Sequence, residues 1–176
     1  MIDALKIAAL IFVAAIVQVS VLSPHAAISG GTADVLLVTL VCIALMRGSI
    51  AGAVAGFAGG LLVDVATLGT LGVTALLLTV AGYWAGRYGE TTGRGRAHAV
   101  PVAVTVITVL AAVAGLGLHY MLGDAVSPHR ALVTTLLPAV PLNLLIAWPV
   151  NRLCRAVLGR RGDGIVERAR EMELGV

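Results

Sequence analysis

Long apolar runs alternate along this chain with short polar breaks. The runs extend from Ala4 to Leu22, Ala33 to Met46, Ser49 to Ala66, Leu71 to Tyr88, Val100 to Met121 and Arg130 to Leu158. Between them lie residues that stop helices: Pro24 with Gly30 and Gly31, the Arg47–Gly48 pair, Thr67 to Thr70, the glycine-rich stretch Gly86 to His98, and Gly123 to Pro128. The pattern predicts six helices. The first carries one internal amide, Gln18, and Thr32 or Asp34 is placed to cap the second. The second spans only about 21 Å, short of a ~30 Å hydrocarbon core. It is expected to extend at one end or to lie beside thinned bilayer. Helices 2 and 3 follow each other so closely that they form a tight hairpin or one helix bent at Gly48. Pro138, Pro141 and Pro149 interrupt the sixth, with Asn143 and Asn151 close to the breaks.

Within this pattern, Gly48, Gly52, Gly56 and Gly60 recur every four residues, and Asp64 continues the spacing. Residues four apart share one helix face. Gly82 and Gly86 repeat the interval in helix 4. Faces of small residues let another backbone approach closely. Gly48, Gly52, Gly56, Gly60, Asp64, Gly82 and Gly86 are therefore candidate packing or partner-contact positions. The first reading is internal packing against helix 4 or 5, and the second is docking of another membrane protein. Asp64 is either an intramembrane ion or proton site or a helix-end carboxylate near the headgroups. The second is favoured, with backbone amides, His25, His119 or a partner protein as its candidate contacts.

Composition sets the class. Of 176 residues, 59% are hydrophobic and 12% are charged, against roughly 25% charged in a soluble domain. Mean hydropathy is +1.02. One domain of this size cannot hide so much apolar surface from water, so the chain reads as an all-α integral membrane protein with six transmembrane helices. The start resembles a signal peptide, but its apolar run exceeds the usual ~7–15 residues, which favours an uncleaved first span.

Charge sets the orientation. With the N-terminus inside, eleven Lys and Arg lie on the inner side and only Arg130 lies outside. The positive-inside rule then places both termini in the cytoplasm. Arg47, Arg87, Arg94, Arg96, Arg152, Arg155, Arg160 and Arg161 are the expected topology determinants. Asp34, Asp64 and Asp124 fall toward the outer side. Residues 1–158 form the expected six-helix transmembrane domain, and 159–176 a charged cytoplasmic tail.

The catalytic inventory is thin. HExxH, CxxC and GxSxG are absent, and the glycines form neither a Walker A nor a dinucleotide pattern. His25, His119 and His129 are scattered loop histidines, and a metal site with Asp64 and Asp124 is set aside. Cys42 and Cys154 read as small buried thiols with no disulfide. No catalytic, cofactor or metal residue is assigned, and the basic residues need no nucleic-acid partner.

The block from Asp34 to Arg87 resembles the MreD family of rod shape-determining proteins. In order, it holds Asp34, the Arg47–Gly48 pair, Gly52, Gly56, Phe57, Gly60, Leu61, Leu62, Asp64, Leu71, Gly72, Ala75, Leu76, Gly82, Tyr83, Gly86 and Arg87. Ala33 stands where that family usually has proline. The resemblance implies a non-catalytic scaffold of the bacterial cell-elongation machinery in the inner membrane. It implies an MreC-like membrane protein as partner, with actin-like MreB, RodA, a class B penicillin-binding protein and membrane lipid around it. It also implies a fold like the substrate-binding subunits of energy-coupling-factor transporters. A small-solute-binding subunit of a transporter, with a pocket lined by helices 1, 4 and 6, is the alternative reading.

Overall fold

A computed structural model describes residues 2–22, 34–68, 70–92, 99–121 and 128–159. Among them are six helices and no strand. Helix α1 is Ile2–Val17 and continues through a π-helical turn, Gln18–Leu22. The others are α2 Val35–Arg47, α3 Ser49–Thr67, α4 Val73–Thr92, α5 Ala99–Met121 and α6 Pro128–Leu158. They follow the six apolar runs in order. Helices α1, α3 and α5 each contain a stretch long and apolar enough to cross a membrane: Asp3–Ser20, Ser49–Thr67 and Ala99–Leu118.

Two boundaries differ from expectation. Helix α4 runs past Tyr88 to Thr92, so Arg87 and Glu90 lie on the helix and not in a loop. Helix α6 is not broken at its prolines but continues through Pro138, Pro141 and Pro149. The rest of the polar stretch, with Arg94, Arg96 and His98, lies outside the described residues. So do His25, Asp124, Arg160, Arg161 and the tail beyond residue 159.

The largest correction concerns α2. It does not lie against thinned bilayer. Every residue from Leu36 to Leu45 is buried, and Val38, Leu40, Val41, Ile43 and Ala44 are fully so. A helix that is apolar all round belongs inside, and α2 is the core that the other helices surround. Its 13 residues span only about 20 Å, and side chains and a carbonyl of α1 and α6 meet both of its ends.

Helix α2 reverses into α3 on a single residue. Gly48 has φ 100° and ψ 179°, a region open essentially to glycine alone. Its N–H still closes the last turn of α2 on the Ala44 carbonyl at 2.8 Å. Gly52 then lies against Ala44, and Gly59 against Leu36, so the two helices run antiparallel. This is the tight hairpin, not one bent helix. On the other sides of α2, α1 runs antiparallel to it, with Asp3 beside Arg47 and Gln18 beside Val35. Helix α6 runs parallel to α2, with Asn143 beside Asp34 and Leu158 beside Arg47.

The outside of this bundle is as apolar as its interior. Ile50, Val54, Phe57 and Val65 of α3, Val102, Val106 and Leu110 of α5, and Leu145 and Trp148 of α6 are all exposed. Apolar surface on this scale is stable only where lipid is the solvent. Cys42 and Cys154 are free and buried. Their thiols meet across α2 and α6, a contact between distant positions that the sequence did not indicate.

Candidate functional site

The glycines at four-residue intervals bring α3 and α4 together backbone to backbone. A methyl group added at Gly52 would fall on the Gly82 carbonyl oxygen, and one added at Gly82 would fall on that of Gly52. Gly56 faces the Leu78 carbonyl, Gly60 faces the Ala75 backbone, and Gly86 faces Gly48 and Ser49. Each step of four up α3 is matched by a step of about four down α4. Larger side chains at these positions would hold the helices apart. Gly59 lies outside this series, against Ile11 and Leu36, and brings α1 and α2 close to α3.

The same register places Asp64 at the start of α4. The carboxylate is buried, with 3% exposure. Its Oδ2 accepts the Gly72 N–H at 2.8 Å and the Ala75 N–H at 3.2 Å, and its Oδ1 accepts the Thr74 N–H at 3.2 Å. These are amides that a helix start leaves without intrahelical partners. Asp64 is thus a cap supplied to α4 by the neighbouring helix. Negative charge at a helix N-terminus also suits the helix dipole.

A second carboxylate closes the other end of the seam. Helix α3 begins at Gly48, which has no side chain to cap it. Glu90 of α4 fills that role. Its Oε1 accepts the Ser49 N–H at 2.9 Å and the Ser49 hydroxyl at 3.1 Å. The two helices therefore cap each other, α3 through Asp64 and α4 through Glu90. Sequence reasoning missed Glu90. The signal was present, since Gly82, Gly86 and Glu90 repeat the spacing of Gly56, Gly60 and Asp64.

A third set of contacts satisfies the start of α2. The Asp34 N–H donates to Asn143 Oδ1 at 2.7 Å, and the Val35 N–H to Gln18 Oε1 at 2.9 Å. The Asp34 carboxylate accepts the Leu37 N–H at 2.9 Å. Asn143, 1% exposed, also donates to the Thr108 hydroxyl at 3.1 Å. Helices α1, α5 and α6 thus contribute side chains so that α2 can start inside the bundle. Gln18 and Asn143 stood out in the sequence only as isolated amides.

At the opposite end of α2, Arg47 joins three elements. Its guanidinium donates to Asp3 Oδ2 at 2.7 Å and to the Leu158 carbonyl at 2.8 Å. Arg87 lies 3.6 Å from Glu90 on an exposed surface. Arg152 stacks over Trp148, 5.7 Å from the ring centroid, and Arg155 donates to Asn151 at 3.3 Å. Asp34 and Asp64 lie away from the Arg47 end, and Asp64 meets neither Arg47 nor Arg87. Among the described residues, no three His, Cys, Asp or Glu come together as a metal-sized group.

Every carboxylate in this arrangement binds backbone amides or arginine, so the arrangement holds helices to one another. The class these features define is a small helical membrane protein organised around a buried short helix and a capped hairpin. A family model described as rod shape-determining protein MreD matches residues 2–157, and the chain belongs to the MreD family. It is accordingly a rod shape-determining membrane protein, of a structural family associated with the MreB, MreC and MreD shape-determining system. No curated protein and no solved structure matches it.

Proposed function

We propose that this chain is a non-catalytic scaffold of the bacterial cell-elongation complex, in which peptidoglycan synthesis is confined to the growing side wall. The family match over residues 2–157 carries the reading. The chemistry of the seam supports it, because Asp64, Glu90 and Asp34 are all occupied in capping helices. In this proposal all six helices span the bacterial inner membrane and both termini are cytoplasmic. Residues 1–158 form the membrane domain and 159–176 a charged tail. An MreC-like membrane protein is the first partner, with MreB, RodA and a class B penicillin-binding protein in the same assembly. A likeness to the substrate-binding subunits of energy-coupling-factor transporters belongs to the same proposal and rests on the family alone. The solute-binding alternative is set aside: among the polar groups suited to recognition, Gln18 accepts the Val35 N–H, the Asp34 carboxylate accepts the Leu37 N–H, and Asn143 links the Asp34 N–H to the Thr108 hydroxyl.

The test is depletion of the protein in its own host, followed by imaging of cell shape and of labelled wall incorporation. Loss of elongation is the expected result. Unchanged shape and unchanged wall incorporation, in a strain with no second copy, would falsify the proposal.

A further inference from the structure

Helices α1 and α3 run in the same direction and touch where Ile11 meets Gly59. A crevice of about 800 Å³ runs between them from the Arg47 end past that contact to Phe12 and Leu62. Its walls are Ala4, Ala8 and Phe12 of α1 and Ala51, Ala55 and Leu62 of α3, and the one charged residue lining it is Arg47. The walls carry mostly methyl groups, and no side chain in them other than Arg47 offers a hydrogen bond.

The crevice has the depth of one lipid leaflet. From Ala4 to Phe12 it rises about 12 Å, and from Ile50 to Leu62 about 18 Å. Half of a ~30 Å hydrocarbon core is about 15 Å, whereas a transmembrane helix needs the whole thickness. This depth matches an acyl chain of one leaflet, whereas a partner helix would run on past the crevice into the second leaflet. Arg47 stands at the end where a headgroup would lie. A guanidinium has five N–H donors. One Nη1 donor of Arg47 is used by Asp3 and one Nη2 donor by the Leu158 carbonyl, which fix the group in place. The Arg47 side chain is 9% exposed, and it is the one group lining the crevice that can donate to a phosphate oxygen.

We propose that the α1–α3 crevice is a phospholipid site, with one acyl chain between the apolar walls and the headgroup phosphate on Arg47. The leaflet it faces follows from the topology proposed above, but the test does not depend on that topology. The full-length protein is placed in nanodiscs of phosphatidylethanolamine and phosphatidylglycerol. The probe is phosphatidylglycerol with a diazirine in its acyl chain. After illumination, lipid adducts are mapped by mass spectrometry. Labelling is expected to be several-fold denser on segments 4–12 and 50–62 than on the lipid-exposed α5 face at Val106 and Leu110. Ala51→Phe or Ala8→Phe, which fill the crevice, should each remove most of that excess and leave α5 labelling intact, which also reports that the variant is folded. Equal labelling of the crevice and α5 would overturn the proposal, as would an excess that survives both substitutions. A photo-reactive residue at Ala51 that captures another membrane polypeptide in cells, and not lipid, would overturn it as well.

Discussion

At the scale of single residues, the chain places charged and amide groups where the membrane makes them costly, and those inside the bundle are matched to backbone or to other polar side chains. A backbone N–H left bare in hydrocarbon costs several kcal/mol. Asp64 removes that cost at three amides of the α4 start. Asp64→Ala should lower stability by about 2 kcal/mol or more, since the cap is lost and donors are left unsatisfied. Asp64→Asn, which keeps one acceptor oxygen, should lose less. Thermal unfolding of the full chain in detergent measures both, and equal losses would contradict the capping role. Asn143→Leu removes the acceptor for Asp34 N–H and the donor to Thr108. A loss of about 1–3 kcal/mol is expected, and the hydroxyl of an added Ser or Thr at 143 should not restore both bonds.

Part of this was legible beforehand. The interval from Gly60 to Asp64 lies within one helix, so its face can be read from spacing. Backbone amides were among the contacts the sequence offered for Asp64, and they are its partners; the partners at the α2 start could not be read, because Gln18 and Asn143 reach Val35 and Asp34 only once the whole bundle forms. Asn143 and Asp34 are far apart in sequence, and no local pattern links them. Glu90 was hidden for a different reason. The polar residues around it read as a loop, although its four-residue spacing from Gly86 continued the seam.

At the scale of elements, length and position were read with different success. The sequence showed α2 to be short, but its uniform apolarity gave no face and so no hint that it is the centre. Its shortness reflects burial on every side, with its start satisfied by side chains and its end closed on Gly48. That turn depends on a backbone conformation that a side chain resists. Gly48→Ala should therefore cost about 1–3 kcal/mol from strain at positive φ. The Gly86 backbone that packs on Gly48 would be displaced with it. The check is a lower unfolding temperature and a reduced folded yield from membranes. An unchanged unfolding temperature would show that the α2–α3 reversal does not need glycine.

At the scale of the whole molecule, one end of the bundle gathers Asp3, Arg47, Ser49, Glu90 and Leu158. The first helix, the core helix, the hairpin and the last helix are tied there. The scaffold role proposed above requires outer faces in fixed relation, and these ties together with the α3–α4 seam join the helices that carry those faces. In the topology proposed above, the positive-inside rule would put this end toward the cytoplasm. The seam is the central element of this picture, and it can be tested by the sign of a small change. In an ordinary helix, Gly→Ala is favourable by roughly 1 kcal/mol. Gly117 has open space around it, whereas Gly52 and Gly82 have each other's carbonyl oxygen in the way. The most direct measurement is the unfolding temperature of the full-length protein in one detergent for Gly117→Ala, Gly52→Ala and Gly82→Ala. The expected result is an unchanged or higher value for Gly117→Ala and a clearly lower value for the other two. An equal or upward shift for all three would contradict a seam made of direct backbone contact.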